Sequence, residues 1–442
     1  MNRTLRRLQY HLAVDIGARA FLRAQRLQGE GKARRRRPKA DSLFAPPLPV
    51  VPWFKELVFR HYLTGRYADG ARPVAWVTSG APVEYLKALG FFIHYPENHA
   101  AMCGVRRTAV EAMEAAEDAG WSRDTCSYAR TDIGTVLTEK TIVGRLPKPD
   151  LLVCCTNICQ TVLSWYRILA EQLGAELVLI DTPFLYDEAT PHAVEFVKAQ
   201  IEQAIEAAER IAGKSLSPKK LEEVGRLSQD AAYLWSEVMA KGRHRPAPLT
   251  VFDQFILMGP IVEMRGDEET VRFYRAMVKA LDERIAQGVG AIRDERIRLL
   301  WDNLPIWYRV RHLSELLAAR GAACVASTYT NAWGELASMM EPGRPLESMA
   351  RVYLHPILNR STQHKLDTMH RMTKEFHLDG VLLHSDRSCK PYSIGQVDQR
   401  DRLVNEIGVP ALLLEADHSD ERVYSDEQSD NRISAFLEML EG

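Results

Sequence analysis

The chain has 442 residues, 46% hydrophobic and 26% charged, with 57 Lys and Arg against 58 Asp and Glu for a formal net charge of −1. That length exceeds one ordinary core, so two or three domains of a globular protein are expected. No apolar run approaches the ~20 residues of a membrane span, and the start has no apolar segment ending in small residues, so neither a membrane protein nor a secreted one is expected and the cytoplasm is the default location.

The charge is unevenly spread. Residues 1–39 hold MNRTLRRLQ, ARAFLRAQRL and GKARRRRPK with few acids, which reads as a solvated, partly disordered basic arm, or as a docking arm for an acidic partner. The proline-rich LFAPPLPVVPW (43–53) reads as a linker or a strap, so residues 1–50 form an arm and linker and the ordered chain begins near residue 50. RPVAWVTSG (72–80) is a strand ending in a turn, PVEYLKALG (82–90) a short helix, FFIHY (91–95) a second strand and EAMEAAEDAG (111–120) a helix. DLLVCC (150–155) is a third strand, and the following segment repeats Val162, Trp165, Tyr166, Leu169 and Leu173 at helical spacing before Gly174. ELVLID (176–181) is a fourth strand, closing a first α/β domain over 51–190.

Residues 191–296 read as a helical insert or clamp, carried by AVEFVKAQIEQAIEAAERIAGK (193–214) and VRFYRAMVKALDERIAQG (271–288). Alternation resumes over 297–442 with IRLLWDNLPIW (297–307) and strands at AACVASTYT (322–330), DGVLLH (379–384) and VPALLLEAD (409–417), interleaved with helices. The expected fold is α/β: two parallel-sheet, Rossmann-like halves with a helical insert between them.

Seven cysteines form an odd, unevenly spaced set in a long chain, which argues against a disulfide framework and for reduced thiols or ligands. Cys154, Cys155 and Cys324 sit in apolar strands and, with Cys103, read as packing residues. Cys159 and Cys389 differ: each follows a strand by a short polar turn and precedes a helix, the position where open parallel sheets keep their chemistry. Cys126, in WSRDTCSYARTDIG, lies outside any strand near a helix start. A helix N-terminus favours anionic sulfur and prepares a thiol to ligate metal. Three thiolates without an obvious fourth ligand suit an iron–sulfur cluster better than a closed structural zinc site.

The segments DLLVCCTNICQTVLSWY, SRDTCSYARTDIG, FDQFILMGPIVEMRGDEETVRFYRAM, ASTYTNAWG and DGVLLHSDRSCKPYSIGQ together resemble the family of 2-hydroxyacyl-CoA dehydratase components and benzoyl-CoA reductase subunits, over residues 72–440. Length and three of these segments most resemble the cluster-bearing B-type subunit of an ATP-dependent benzoyl-CoA reductase. The resemblance implies a [4Fe-4S] cluster on Cys126, Cys159 and Cys389 with one open iron. It implies an aromatic acyl-CoA substrate reduced by low-potential single-electron transfer, a related smaller cluster-bearing subunit, ATPase activator subunits with a bridging [4Fe-4S] cluster, and a low-potential donor such as ferredoxin. A (R)-2-hydroxyacyl-CoA dehydratase subunit working through a ketyl radical, and a noncatalytic electron-transfer subunit, are the alternatives. No GxxxxGK[ST] occurs, so this chain does not read as the ATP-consuming member, and no nucleic-acid reading module follows the basic arm.

Ser79, Glu97 and His99 follow the first two strands and share the rim expected for the cysteines. In dehydratase-type members a serine and a glutamate at this spacing line the active site, and Glu97 or His99 could move protons. Structural roles compete: Ser79 as a helix cap, Glu97 as a partner of Arg106 or Arg107. For the CoA phosphates and adenine, Lys390, Arg106 and Arg130 are candidates by position.

Overall fold

The computed structural model describes residues 3–35 and 42–442. Its strands are β1 (Val74–Val77), β2 (Phe92–His94), β3 (Leu151–Cys155), β4 (Glu176–Ile180), β5 (Ile297–Asp302), β6 (Ala322–Ser327), β7 (Gly380–Asp386) and β8 (Ala411–Ala416). They form two four-stranded sheets, β2-β1-β3-β4 and β6-β5-β7-β8, parallel throughout. Both sheets therefore have the same order: the chain leaves the first strand of each unit to one side and returns on the other. The two-halved α/β architecture expected from the alternation is the one observed.

Side-chain alternation along the strands divides the core. In the first sheet Ala75, Val77, Ile93, Leu151 and Val153 face a cluster that includes Ile201, Trp235, Tyr274 and Tyr353. The helices Pro191–Ala212, Pro218–Ala240 and Glu268–Ala286 thus cover one face of that sheet. The opposite face, with Trp76, Leu152 and Cys154, belongs to a cluster that continues through Phe252 and Phe255 to Leu299, Trp301, Leu382 and Leu414 of the second sheet. Beyond that sheet, Leu300, Val325, Val381 and Leu383 pack on Leu366, Met369, Met372 and Phe376 of the helix Thr362–Phe376. A core continuous across both halves fixes how their strand ends face one another.

Two readings change. The described part of the basic arm, 3–35, is helical throughout rather than solvated coil. Arg6 bonds Asp69 and Arg26 reaches Glu56 while stacking 4.5 Å from the Trp53 ring, so ion pairs and cation–π contact hold it to the helix Val51–Ala68. The rest of the basic run lies outside the described residues. The strap precedes that helix, and Ala45 N–H and Leu43 C=O bond residues 291 and 293. Second, the strand read through 330 stops at Ser327: its hydroxyl accepts from Tyr329 N–H and opens the helix Thr328–Glu335, because an N-cap overrides the β-propensity of the Thr-Tyr-Thr run.

Candidate active site

Loops at the strand ends of both halves enclose an apolar cavity of about 160 Å³. Its wall includes Ser79 from the loop after β1, Glu97 after β2, Cys159 after β3, Tyr329 after β6, Cys389 after β7 and His418 after β8, with Cys126 closing the ring. The order reversal of each sheet opens a crevice between β1 and β3 and between β5 and β7, and Cys159 and Cys389 occupy equivalent places in the two.

Local structure explains each thiol. Cys126 caps the helix Ser127–Thr138. That helix lies so close to Ala109–Asp118 that a Cβ on Gly134 would collide with the Ala112 carbonyl oxygen. The Cys159 loop is held by Asn157, whose Nδ2 donates to the Gly80 and Tyr353 carbonyls at 2.7 and 2.8 Å. Glycine is required at 80, since a Cβ there would meet Asn157 Oδ1 at 2.7 Å. The Cys389 turn is organised by Asp386, whose Oδ1 accepts from the Ser388 and Cys389 amides at 3.1 and 3.2 Å. Cys389 opens a short helix at Lys390–Ser393.

Cys126, Cys159 and Cys389 are half-buried, whereas Cys103, Cys154, Cys155 and Cys324 are buried. Burial, followed by the charge of Cys126, pushes the Cys159 thiol up to about 12, and burial, Asp386, Cys126 and Cys159 raise Cys389. With both the Cys159 and the Cys389 thiol raised in this apolar chamber, a cationic centre is needed for the two to become thiolates together. Among the described residues, the one group of three His, Cys, Asp or Glu donors within 4.8 Å of one another is Asp386, Asp417 and His418. Cys126, Cys159 and Cys389 do not form such a group but line one chamber. Three soft thiol donors on one apolar wall suit an iron–sulfur group by their chemistry.

The Asp386–Asp417–His418 set went unnoticed in the sequence and is internally satisfied. His418 Nδ1 lies 2.7 Å from Asp386 Oδ2, and its Nε2 lies 2.8 Å from Ser127 Oγ and 3.8 Å from Cys126 Sγ. Burial opposes a charge on His418, but Asp386 and Asp417 outweigh it and hold the imidazole protonated. Asp417 is buried too, yet His418, the Ser388 hydroxyl and the Ser419 and Asp420 amides take it down to about 2. This network ties the Cys389 turn to the Cys126 cap. A signal existed: the tripeptide His-Ser-Asp occurs at 384–386 and again at 418–420, at the ends of the neighbouring strands β7 and β8.

The other candidates separate. Ser79 N–H donates to Glu97 Oε1 at 3.1 Å, while Glu97 Oε2 is buried without a hydrogen-bond partner. Burial pushes the Glu97 carboxyl up to about 8, against its backbone hydrogen bonds. His99 does not line the cavity: Nδ1 lies 3.1 Å from Asp132 and Nε2 2.8 Å from Thr141 Oγ1. Burial disfavours its charge, but Asp132 outweighs that and lifts it to about 10. Arg130 is buried and bonded to Glu117 and Asp420 at 2.5 and 3.2 Å. Arg106 is exposed at the end of the helix Pro96–Val105, and Lys390, also exposed, donates to the Arg387 carbonyl at 2.6 Å. None of these three cations lines the cavity.

Two parallel α/β halves that converge three cysteines on an apolar pocket define a class: proteins holding a reactive centre in an interdomain crevice. The chain belongs to the family described as 2-hydroxyglutaryl-CoA dehydratase, D-component, whose match spans residues 78–440. It is 32% identical to the (R)-2-hydroxyisocaproyl-CoA dehydratase alpha subunit of Clostridioides difficile, over 87% of this chain and 96% of the relative. It is 30% identical to the alpha subunit of lactoyl-CoA dehydratase of Anaerotignum propionicum, over 83% and 90%. With a benzoyl-CoA reductase subunit of Thauera aromatica it shares 27% identity over 88% and 93%. The resemblance read from the sequence is thus correct at the level of family. Among the described residues no helix is long and apolar enough to cross a membrane.

Proposed function

We propose that this chain is the cluster-bearing subunit of a 2-hydroxyacyl-CoA dehydratase, acting beside a related smaller subunit and a separate ATP-driven activator. The observation that carries the reading is the placement of Ser79 and Glu97 on the same apolar chamber as Cys126, Cys159 and Cys389. Relatives at 32% and 30% identity bear dehydratase names, against 27% for the reductase subunit.

Cys126, Cys159 and Cys389 would hold a [4Fe-4S] cluster. Bound there, it would supply a low-potential electron, near the ~−700 mV end of the cluster range. The chain's own residues do the rest. The apolar wall excludes water and strengthens each polar contact inside it. Glu97, its carboxyl lifted to about 8 by burial, is protonated at neutral pH and, from the chamber wall, can deliver that proton to a departing 2-hydroxyl, which leaves as water. The Ser79 hydroxyl, on the same wall, can donate to the thioester or hydroxyl oxygen and orient it.

A second reading, reduction of an aromatic acyl-CoA, is favoured by Trp165, Tyr329 and Trp333 on the chamber wall. Electron stoichiometry separates the two. A dehydratase returns its electron, so dehydrated product forms from a 2-hydroxyacyl-CoA with reductant in catalytic amount; a reductase consumes two electrons for each product. Failure of the anaerobically purified chain to hold iron and acid-labile sulfide would sink both.

A further inference from the structure

Beside the cysteine chamber lies a second cavity of about 340 Å³. Ile158, Cys159, Leu358 and Tyr392 line both, so these side chains are the partition between them. The first chamber is apolar, whereas the second holds two cations, Arg360 and Lys365, only 5% and 7% exposed.

Neither cation is fully satisfied. Arg360 donates through Nη2 to Glu188 at 3.0 Å, but its Nε is buried with no hydrogen-bond partner. Glu188 is 80% exposed, so it restrains the guanidinium weakly. Lys365 donates from Nζ to the Pro391 carbonyl at 2.7 Å and stands 5.6 Å from the Tyr392 ring centroid. Its ammonium has three donors, and among the described residues it forms no ion pair. Buried cations with spare donors are costly to keep unless an anion completes them. At the mouth, Phe184 and Ile394 line the cavity and are 47% and 86% exposed, with Tyr186 in edge contact with Phe184 at 5.0 Å.

We propose that this second cavity is an anion subsite that takes a phosphate group of a CoA thioester whose acyl end occupies the cysteine chamber. The inference rests on the acyl-CoA reading above. A CoA thioester joins an acyl end to a polyanionic nucleotide by a slim chain, and these two cavities offer an apolar room, a cationic room and one shared wall. Arg360 supplies a planar fork suited to phosphate and Lys365 a point charge. The exposed Phe184 and Ile394 surface is where a purine would rest. Arg106, Arg130 and Lys390, the cations that position in the sequence suggested, line neither cavity.

The test compares equilibrium binding of coenzyme A and of pantetheine, which lacks every phosphate, to the anaerobically purified chain and to Arg360→Gln and Lys365→Met. The wild type is expected to bind coenzyme A at least about tenfold more tightly than pantetheine, and each variant to lose about tenfold of coenzyme A affinity. Pantetheine affinity and iron content should stay unchanged, which misfolding would not allow. Undiminished coenzyme A binding in both variants would overturn the subsite while leaving the acyl-CoA reading intact. A wild type that binds no coenzyme A, or binds it no more tightly than pantetheine or inorganic phosphate, would overturn both.

Discussion

The two halves share one strand order yet hold their cysteines by opposite means. After β3, Cys159 sits in a loop fastened by a neutral amide: Asn157 donates to two carbonyls, and Gly80 gives it room. After β7, Cys389 sits in a turn fastened by charge: the Asp386 carboxylate accepts two amides and pairs with His418, which reaches Ser127 and Cys126. The first half also brings Ser79 and Glu97 to the chamber; the second brings none of the acid–base candidates read from the sequence. One topology therefore supports two tasks. The first half presents groups that can meet a substrate, and the second locks the geometry of two of the three thiols.

The largest effect expected is symmetric despite this difference. Cys159→Ala and Cys389→Ala should each abolish the roughly four irons of the cluster, read as iron, labile sulfide and EPR signal on anaerobic protein; iron surviving in either variant would remove that thiol from the ligand set. Next in size is a hub that joins the first half, the helical insert and the second half. Arg265, fully buried, donates to the Ala81 and Val262 carbonyls and to Tyr353, lies 3.6 Å from Glu84 and stacks 4.1 Å from the Trp333 ring. Arg265→Leu leaves a buried carboxylate without its cation and should cost about 3–5 kcal/mol in urea unfolding.

The clasps themselves come third. Asp386→Ala strips two amides and the imidazole of their acceptor and should weaken retention of iron against a chelator by about 10- to 100-fold. Asn157→Ala should weaken iron retention by less than about tenfold, while the two carbonyls left unpaired lower stability by about 1–3 kcal/mol. Equal losses in the two variants would erase the contrast between a charged and a neutral clasp.

Glu97 gives an effect of a different kind, one that depends on pH. Its native carboxyl keeps a proton up to about pH 8, while the unfolded one releases it near its ordinary 4.5. Between those values the native chain binds the extra proton, so stability falls as pH rises through that window. Glu97→Gln should flatten the decline, measured as urea midpoints at about pH 5 and about pH 9; an unchanged slope would mean that the carboxyl is not held neutral. Smallest of all, Lys390→Ala should change stability by no more than about 0.5 kcal/mol and leave coenzyme A binding unaltered.

Much of this was legible in the chain. Apolar runs ending in polar turns marked the strands, and Gly174 marked the end of the helix Thr161–Leu173 through its left-handed φ of 61°. The special cysteines stood out because they lay just past a strand rather than inside it. His99 looked equivalent to Glu97 because both follow β2, yet its ring turns to Asp132 and Thr141 while Glu97 meets the chamber. Residues two apart on one helix point in different directions, and only the packing decides which faces the site.

Sequence by itself therefore determined the parallel α/β plan, the family and the separation of packing thiols from loop thiols, because all three are local: alternation, caps and position relative to a strand end. Tertiary structure alone decided which cations are spent in ion pairs, as Arg130 is, and which stay under-satisfied beside the chamber, as Arg360 does. It also decided that Asp386 and His418 would join the Cys389 turn to the Cys126 cap. The decisive partners lie far apart in the chain, His418 being 291 residues from Ser127 and Asp420 290 from Arg130, brought together by a core that runs through both sheets, and no local pattern encodes such pairings.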